Sequence, residues 1–174
     1  DGTIRIWDVE GREPVEVLEG HRESVRALAL AQDGHTLASG ADDGTIRLWD
    51  LTTRRGSVVL PVGDDILALA ISHDGRGLAA APRNGAIRLW NLDAPEFPRR
   101  LEGRLGDLAA LTFTRDGRLI SAGVDRSIQV WDVQGGRTLL TLKDHAGPVT
   151  GLAASHDGGC LVSCSLDHTI KIWE

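Results

Sequence analysis

Tyrosine and methionine are absent from the 174 residues, and phenylalanine and cysteine occur only twice each. Aromatics amount to 4 % of the chain, so a core must be built from Leu, Ile, Val and Ala, with the five Trp as its large pieces. Cys160 and Cys164 sit four apart in what reads as a strand. At about 3.3 Å per residue their Cα atoms would be about 13 Å apart, beyond the roughly 7 Å a disulfide spans. Nothing therefore suggests an oxidising compartment. No basic run is present, and the formal charge of −6 would repel a phosphate backbone, which argues against nucleic-acid binding. No apolar stretch approaches the roughly 20 residues of a membrane helix, and no signal-peptide pattern opens the chain. A soluble, cytoplasmic protein is expected.

What is present is a repeated phrase. DGTIRIWD from Asp1 returns as DGTIRLWD from Asp43, NGAIRLWN from Asn84, DRSIQVWD from Asp125 and DHTIKIWE from Asp167. The starts are 42, 41, 41 and 42 residues apart, so one period runs through the chain. Trp7, Trp49, Trp90, Trp131 and Trp173 each take the seventh place of a copy, which leaves no Trp for a separate aromatic site. The first residue and the last both fall in phase with the phrase, and with Met absent the chain is expected to be a segment of a longer protein.

Within one period, SVRALAL (24–30), HTLASGA (35–41) and TIRLWD (45–50) are apolar-rich runs separated by Asp-Gly turns. Asp-Gly supplies the positive φ of tight hairpins, so the period predicts a β-meander. A weaker run such as GSVVL (56–60) makes a fourth, outer strand. A lone sheet of this size cannot cover two apolar faces; copies stacked around an axis cover both. Pro95 and Pro98 suit an outer edge, because proline cannot donate to a ladder. Arg5, Arg47, Arg88, Gln129 and Lys171 share one third-strand position, where long stems are expected to pack along a neighbouring sheet with their heads in water.

Gly20-His21, the Asp43 turn and the closing Trp49-Asp50 resemble the repeat of the WD-repeat β-propeller family, and the resemblance covers essentially the whole chain. It implies an all-β fold, a β-propeller of four-stranded antiparallel blades present as an incomplete arc. Residues 1–19 would supply the last two strands of one blade. Residues 20–60, 61–101 and 102–142 would form complete blades, and 143–174 the first three strands of a further one. Propellers of this family commonly close with seven blades, so an arc of this size is expected to associate through its open ends. The resemblance further implies a rigid platform for binding other proteins, without catalysis or cofactor.

His21, Ser39 and Asp43 lie in one repeat and invite a hydrolase reading. The resemblance implies instead a structural tetrad with Trp49, in which imidazole joins an acid to a hydroxyl. Repetition favours the second reading. His145, Ser163, Asp167 and Trp173 repeat the set, the third repeat has Arg104, Ser121, Asp125 and Trp131, and the second has Val62, Ala80, Asn84 and Trp90. A catalytic site is needed once, whereas a staple is needed in each blade and can decay in some. No nucleophile-elbow pattern surrounds either Ser. The second blade, lacking His and Ser and with Asn84 for Asp, is expected to be the least rigid, or braced by something outside this segment.

His156, Cys160, Cys164 and His168 fall within thirteen residues, but Cys spread along a strand lack the close turn-borne spacing of a zinc site. They are read as small core thiols, with no metal. The isolated Gly75-Arg76-Gly77 fragment has no following helix to make a phosphate loop.

A propeller would present, on the tetrad side, the segment after each His position and the residue before each tetrad Asp. These are Arg22, Glu23 and Ser24 with Asp42; Gly63, Asp64 and Asp65 with Arg83; Leu105, Gly106 and Asp107 with Val124; and Ala146, Gly147 and Pro148 with Leu166. Val124 and Leu166 put two aliphatics on neighbouring blades beside a mixed-charge rim. The expected function is a non-catalytic protein-interaction scaffold within a larger protein, with no membrane, nucleic-acid or small-molecule ligand. The alternative is a sensor domain that controls an attached effector, such as a nucleotide-binding or kinase module.

Overall fold

The computed structural model describes residues 1–53, 58–95, 98–101, 107–155 and 157–174, and among them every regular element is a strand. β1 (Thr3–Asp8) and β2 (Glu13–Glu19) form an antiparallel hairpin. β3 (Val25–Leu30), β4 (Thr36–Ala41), β5 (Thr45–Asp50) and β6 (Val58–Pro61) make a four-stranded blade in sequence order. The second blade holds β7 (Ile66–Ile71), β8 (Gly77–Pro82), β9 (Arg88–Asn91) and β10 (Arg99–Arg100). The third holds β11 (Leu108–Phe113), β12 (Leu119–Gly123), β13 (Ile128–Asp132) and β14 (Arg137–Leu142), and β15 (Val149–Ala154), β16 (Leu161–Ser165) and β17 (Ile170–Trp173) form a last, three-stranded sheet. The strand expected over 56–60 is thus β6; residues 54–57 lie outside the described residues.

Turn chemistry explains the meanders. Gly34, Gly75, Gly117 and Gly158, each following an Asp, have φ of 72, 72, 83 and 77°. In the next hairpin Gly44 and Gly85 do the same, but Arg126 and His168 adopt φ of 67° with a full side chain, at a cost of about 1 kcal/mol each.

The first strands β3, β7, β11 and β15 are successive neighbours, which places them innermost around one axis. Apolar layers fill the space between sheets. Ala38, Ile46 and Leu60 of the first blade meet Ile66, Leu69, Leu78 and Trp90 of the second. Ala79, Ile87 and Leu89 of the second meet Leu111, Leu119 and Trp131 of the third. Ile120 and Ile128 meet Val149 and Leu161, with Trp173 packed against them, and Ile4 and Leu18 meet Leu37 and Trp49. Each of these four Trp therefore lies against the preceding sheet. The second strands mix Leu, Ile and Val with many small residues, which let neighbours approach. Gly40 in β4 has Ile66 of the next blade where a Cβ would stand. The result is an open arc of propeller blades.

Every described first strand carries a register break at the same place: between Val25 and Ala27, Ile66 and Ala68, Leu108 and Ala110, and Val149 and Gly151. A bulge re-aims the extra side chain, which matters on the tetrad side.

Candidate functional site

In the first blade His21 stands in the loop before β3, Ser39 in mid-β4, Asp43 in the β4–β5 turn and Trp49 on β5. Nδ1 of His21 lies 3.0 Å from the Asp43 carboxylate and Nε2 lies 2.7 Å from the Ser39 hydroxyl, which accepts the Trp49 indole N–H at 2.8 Å. A carboxylate only accepts, so Nδ1 carries the proton; in the neutral ring Nε2 then accepts from Ser39. The chain of donors thus runs Trp49 to Ser39 to His21 to Asp43. Asp43 also accepts the Arg22 N–H at 2.9 Å, the Thr45 N–H at 3.0 Å and the Thr45 hydroxyl at 2.6 Å. Burial pushes the Asp43 carboxyl up, but the Thr45, Arg22 and His21 hydrogen bonds outweigh it and hold the group down at about 2.

The last sheet reproduces this network. His145 reaches Asp167 and Ser163 at 2.8 Å each, Trp173 donates to Ser163 at 2.9 Å, and Ala146 N–H donates to Asp167 at 2.9 Å. Asp167 is held well below the usual carboxylate range, chiefly by the Thr169 hydroxyl, with His145 and two backbone N–H groups adding to it against the cost of burial. In the third blade Trp131 donates to Ser121 at 2.9 Å and Asp125 accepts the Ser127 N–H and hydroxyl at 3.0 and 2.7 Å. Arg104, at the His position there, lies outside the described residues.

Ser39 is fully buried, and its oxygen hydrogen-bonds both Trp49 and His21, whose rings also meet edge to face. Ser39→Ala would orphan both, so a loss of about 2 kcal/mol is expected in thermal or urea unfolding. A loss of a few tenths would show that the network is not cohesive.

The platform positions are brought together by one repeated bond. The backbone N–H of Asp42, Arg83, Val124 and Leu166 donates to the carbonyl of Ser24, Asp65, Asp107 and Pro148 respectively, at 2.9 to 3.1 Å. Each side chain before a tetrad acid is thereby held beside the loop that precedes its blade. Arg22, Glu23 and Asp107 are exposed, as are Val124 at 49 % and Leu166 at 63 %. Leu105 and Gly106 lie outside the described residues. Two further pairs were not legible in the sequence. Arg26, the bulged residue of β3, turns up to meet Asp42 at 2.8 Å, and Arg83 meets Asp65 at 2.8 Å. The Arg26 guanidinium lowers the Asp42 carboxyl. Nothing in the run SVRALAL marks Arg26, because only the bulge aims it there.

Comparison with known proteins completes the assignment. The WD domain, G-beta repeat family matches residues 12–50, 96–132 and 136–174, more than half of the chain. The chain belongs to the WD-repeat family. Over 99 % of its length it is 30 % identical to a U3 small nucleolar RNA-associated protein 15 homolog of Gallus gallus, covering 34 % of that protein. It is 28 % identical over the same share to guanine nucleotide-binding protein subunit beta of Zea mays, covering 38 %, and of Saccharomyces cerevisiae, covering 40 %. The chain thus spans about a third to two fifths of the length of these curated relatives.

The stretch between the first two family matches, 51–95, contains most of the second WD repeat, and its departure has a structural counterpart. Val62, Ala80 and Trp90 meet in one apolar cluster, where Ala80 is fully buried. Expectation had this blade least rigid. The structure shows close apolar packing at the positions that His and Ser hold elsewhere, with Ala80 in place of the hydroxyl that accepts the Trp indole N–H in the other blades. The tie between loop and turn survives with its direction reversed. Asp64, on the loop, accepts the Asn84 N–H at 3.0 Å, whereas in the first blade the turn acid accepts the loop N–H. Asp64, one of the expected platform residues, thus also ties the loop to the turn.

Three other expectations need correction. Of the residues sharing the third-strand position Arg5 is exposed, as expected, but three others do not simply send their heads to water. Arg88 donates to the Val62 carbonyl at 2.8 Å and Lys171 to the Asp144 carbonyl at 2.9 Å, while Arg47 sits over the Trp49 ring at 5.9 Å. Cys160 precedes β16 rather than lying in it. Cys164 is exposed rather than in the core, because its Sγ projects beside Gly151, near the Thr150 hydroxyl at 3.6 Å. His156 lies outside the described residues.

Proposed function

We propose that this WD-repeat arc is a non-catalytic scaffold that binds other proteins through its tetrad-side loops. The carrying observation is the repeated bond between the pre-tetrad residue and the neighbouring loop, which holds side chains of varied chemistry on a common framework. On one flank these are the paired charges Arg26 with Asp42 and Arg83 with Asp65. On the other are the exposed aliphatics Val124 and Leu166. Apolar centres beside polar rims suit protein interfaces. The net charge of −6 and the carboxylates on this face favour a protein over a nucleic acid as the partner. The apparent Ser-His-Asp set supports a structural role, since Ser39 and Ser163 are buried and hold indole N–H groups rather than facing a cleft.

Affinity capture with the wild-type chain and with the double variant Val124→Asp, Leu166→Asp tests this reading. Both sites are exposed, so the melting temperature should stay within about 2 °C while captured proteins are lost, because a buried carboxylate without a partner opposes docking. An unchanged set of captured proteins at an unchanged melting temperature would refute it.

A further inference from the structure

On the side opposite the tetrads, a cleft of about 800 Å³ opens between the second and third blades. That volume is within the range of ligand sites. Its apolar lining comes from Leu78, Leu89 and Trp90 on one blade and from Phe113 and Val133 on the other. Counterparts of Phe113, three residues before each Asp-Gly turn, are Leu30 and Ile71, so an aromatic stands here and at neither of those places.

The charges around the mouth are unequal in availability. Asp74 is held by two neutral donors, the Ser72 hydroxyl at 2.5 Å and the Arg76 N–H at 3.1 Å, and keeps its charge. Asp93 faces Arg76 at 3.6 Å, and Asp116 binds the Thr114 hydroxyl and pairs with Arg118 at 3.1 Å. Arg99 spends its Nη1 on two neutral acceptors, the carbonyls of Val133 at 3.1 Å and Gln134 at 2.6 Å. Among the described residues neither Arg99 nor Arg115 has an ion-pair partner, although both line the cleft. Register gives the counterparts of Arg99 as Val58 and Leu140, and turn position gives those of Arg115 as Gln32 and His73. Among the described residues, two guanidinium groups without an ion-pair partner, against one such carboxylate, Asp74, stand beside an apolar floor at this blade boundary, in a chain whose overall charge is negative.

We propose that this cleft binds an acidic peptide segment. An apolar side chain enters between Trp90 and Phe113, and flanking carboxylates lie against Arg99 and Arg115. Guanidinium pairs well with carboxylate, and a partly desolvated floor strengthens that pairing. The site is independent of the tetrad-side platform.

Fluorescence anisotropy of the 174-residue chain with a fluorescein-labelled hexapeptide, Asp-Glu-Leu-Phe-Glu-Asp, tests it. Binding is expected, weakened at least tenfold when Arg115 becomes Glu and equally when Leu-Phe in the peptide becomes Ser-Ser. Arg115→Glu removes no ion pair among the described residues, and an unchanged melting curve checks this. The Val124→Asp, Leu166→Asp variant should bind the peptide as wild type does, which separates this site from the platform. No binding at millimolar peptide, an affinity indifferent to Arg115→Glu or to the loss of Leu-Phe, or full displacement by equimolar succinate would overturn the proposal.

Discussion

Trp131→Ala is expected to lower the unfolding free energy by about 4 kcal/mol, a fall in melting temperature of about 10 °C for a chain of this size. Trp131 is fully buried at the boundary between the second and third blades, within the cluster that holds Ala79, Ile87, Leu89 and Leu119. Truncation removes the apolar area that joins two sheets and leaves a cavity between them, and it also deprives Ser121 of its indole partner. Trp7 occupies the same place in its copy of the phrase, yet it is 53 % exposed, because no described sheet precedes β1–β2. Trp7→Ala should therefore cost less than about 1 kcal/mol. Urea unfolding followed by far-ultraviolet circular dichroism compares the two without relying on the indole signal. Equal losses would contradict inter-blade burial as the source of cohesion.

That contrast marks where sequence reading stops. The runs 24–30, 35–41 and 45–50 foretell β3, β4 and β5 to within a residue, since Asp-Gly turns bound them and alternation sets their faces. Burial of a given Trp was not legible, because it depends on whether another sheet stands in front of it. The outer strands were faint for a related reason. Leu139 and Leu140 are apolar yet about half exposed on β14, and β10 is only two residues long, so neither composition nor length announces them. The tetrads were legible because the WD-repeat resemblance implies them and the same four residue types recur at the same offsets in two repeats. Arg26 was hidden by a bulge, which shifts register without changing composition. The second repeat misled most. Absence of His and Ser reads as a defect until Val62, Ala80 and Trp90 are seen to fill the volume, and until Asp64 is seen to supply the acceptor that Asn84 does not.

Asp43→Ala should be nearly as damaging as loss of Trp131, at about 3 kcal/mol. The substitution leaves the His21 Nδ1–H, the Arg22 N–H and the Thr45 hydroxyl and N–H without their common acceptor, and His21 itself is buried. Asp43→Asn keeps an oxygen for Thr45 but turns an amide toward donors, so an intermediate loss is expected. Acid titration supplies a second readout. The folded-state value of about 2 lies below the ordinary carboxylate value near 3.9, so the folded state favours the ionised form. The stabilisation is fully present above about pH 4 and is lost as pH falls through about 2. Asp167, lowered by the same kind of contacts, contributes in the same direction. Wild-type stability should therefore decline steeply below pH 4. Asp43→Ala should make that decline shallower while lowering stability at neutral pH, and removing both acids should make it shallower still, with the other lowered carboxylates keeping the rest. If the single variant kept the full acid limb, Asp43 would not be the anchor that joins turn, loop and strands in the first blade.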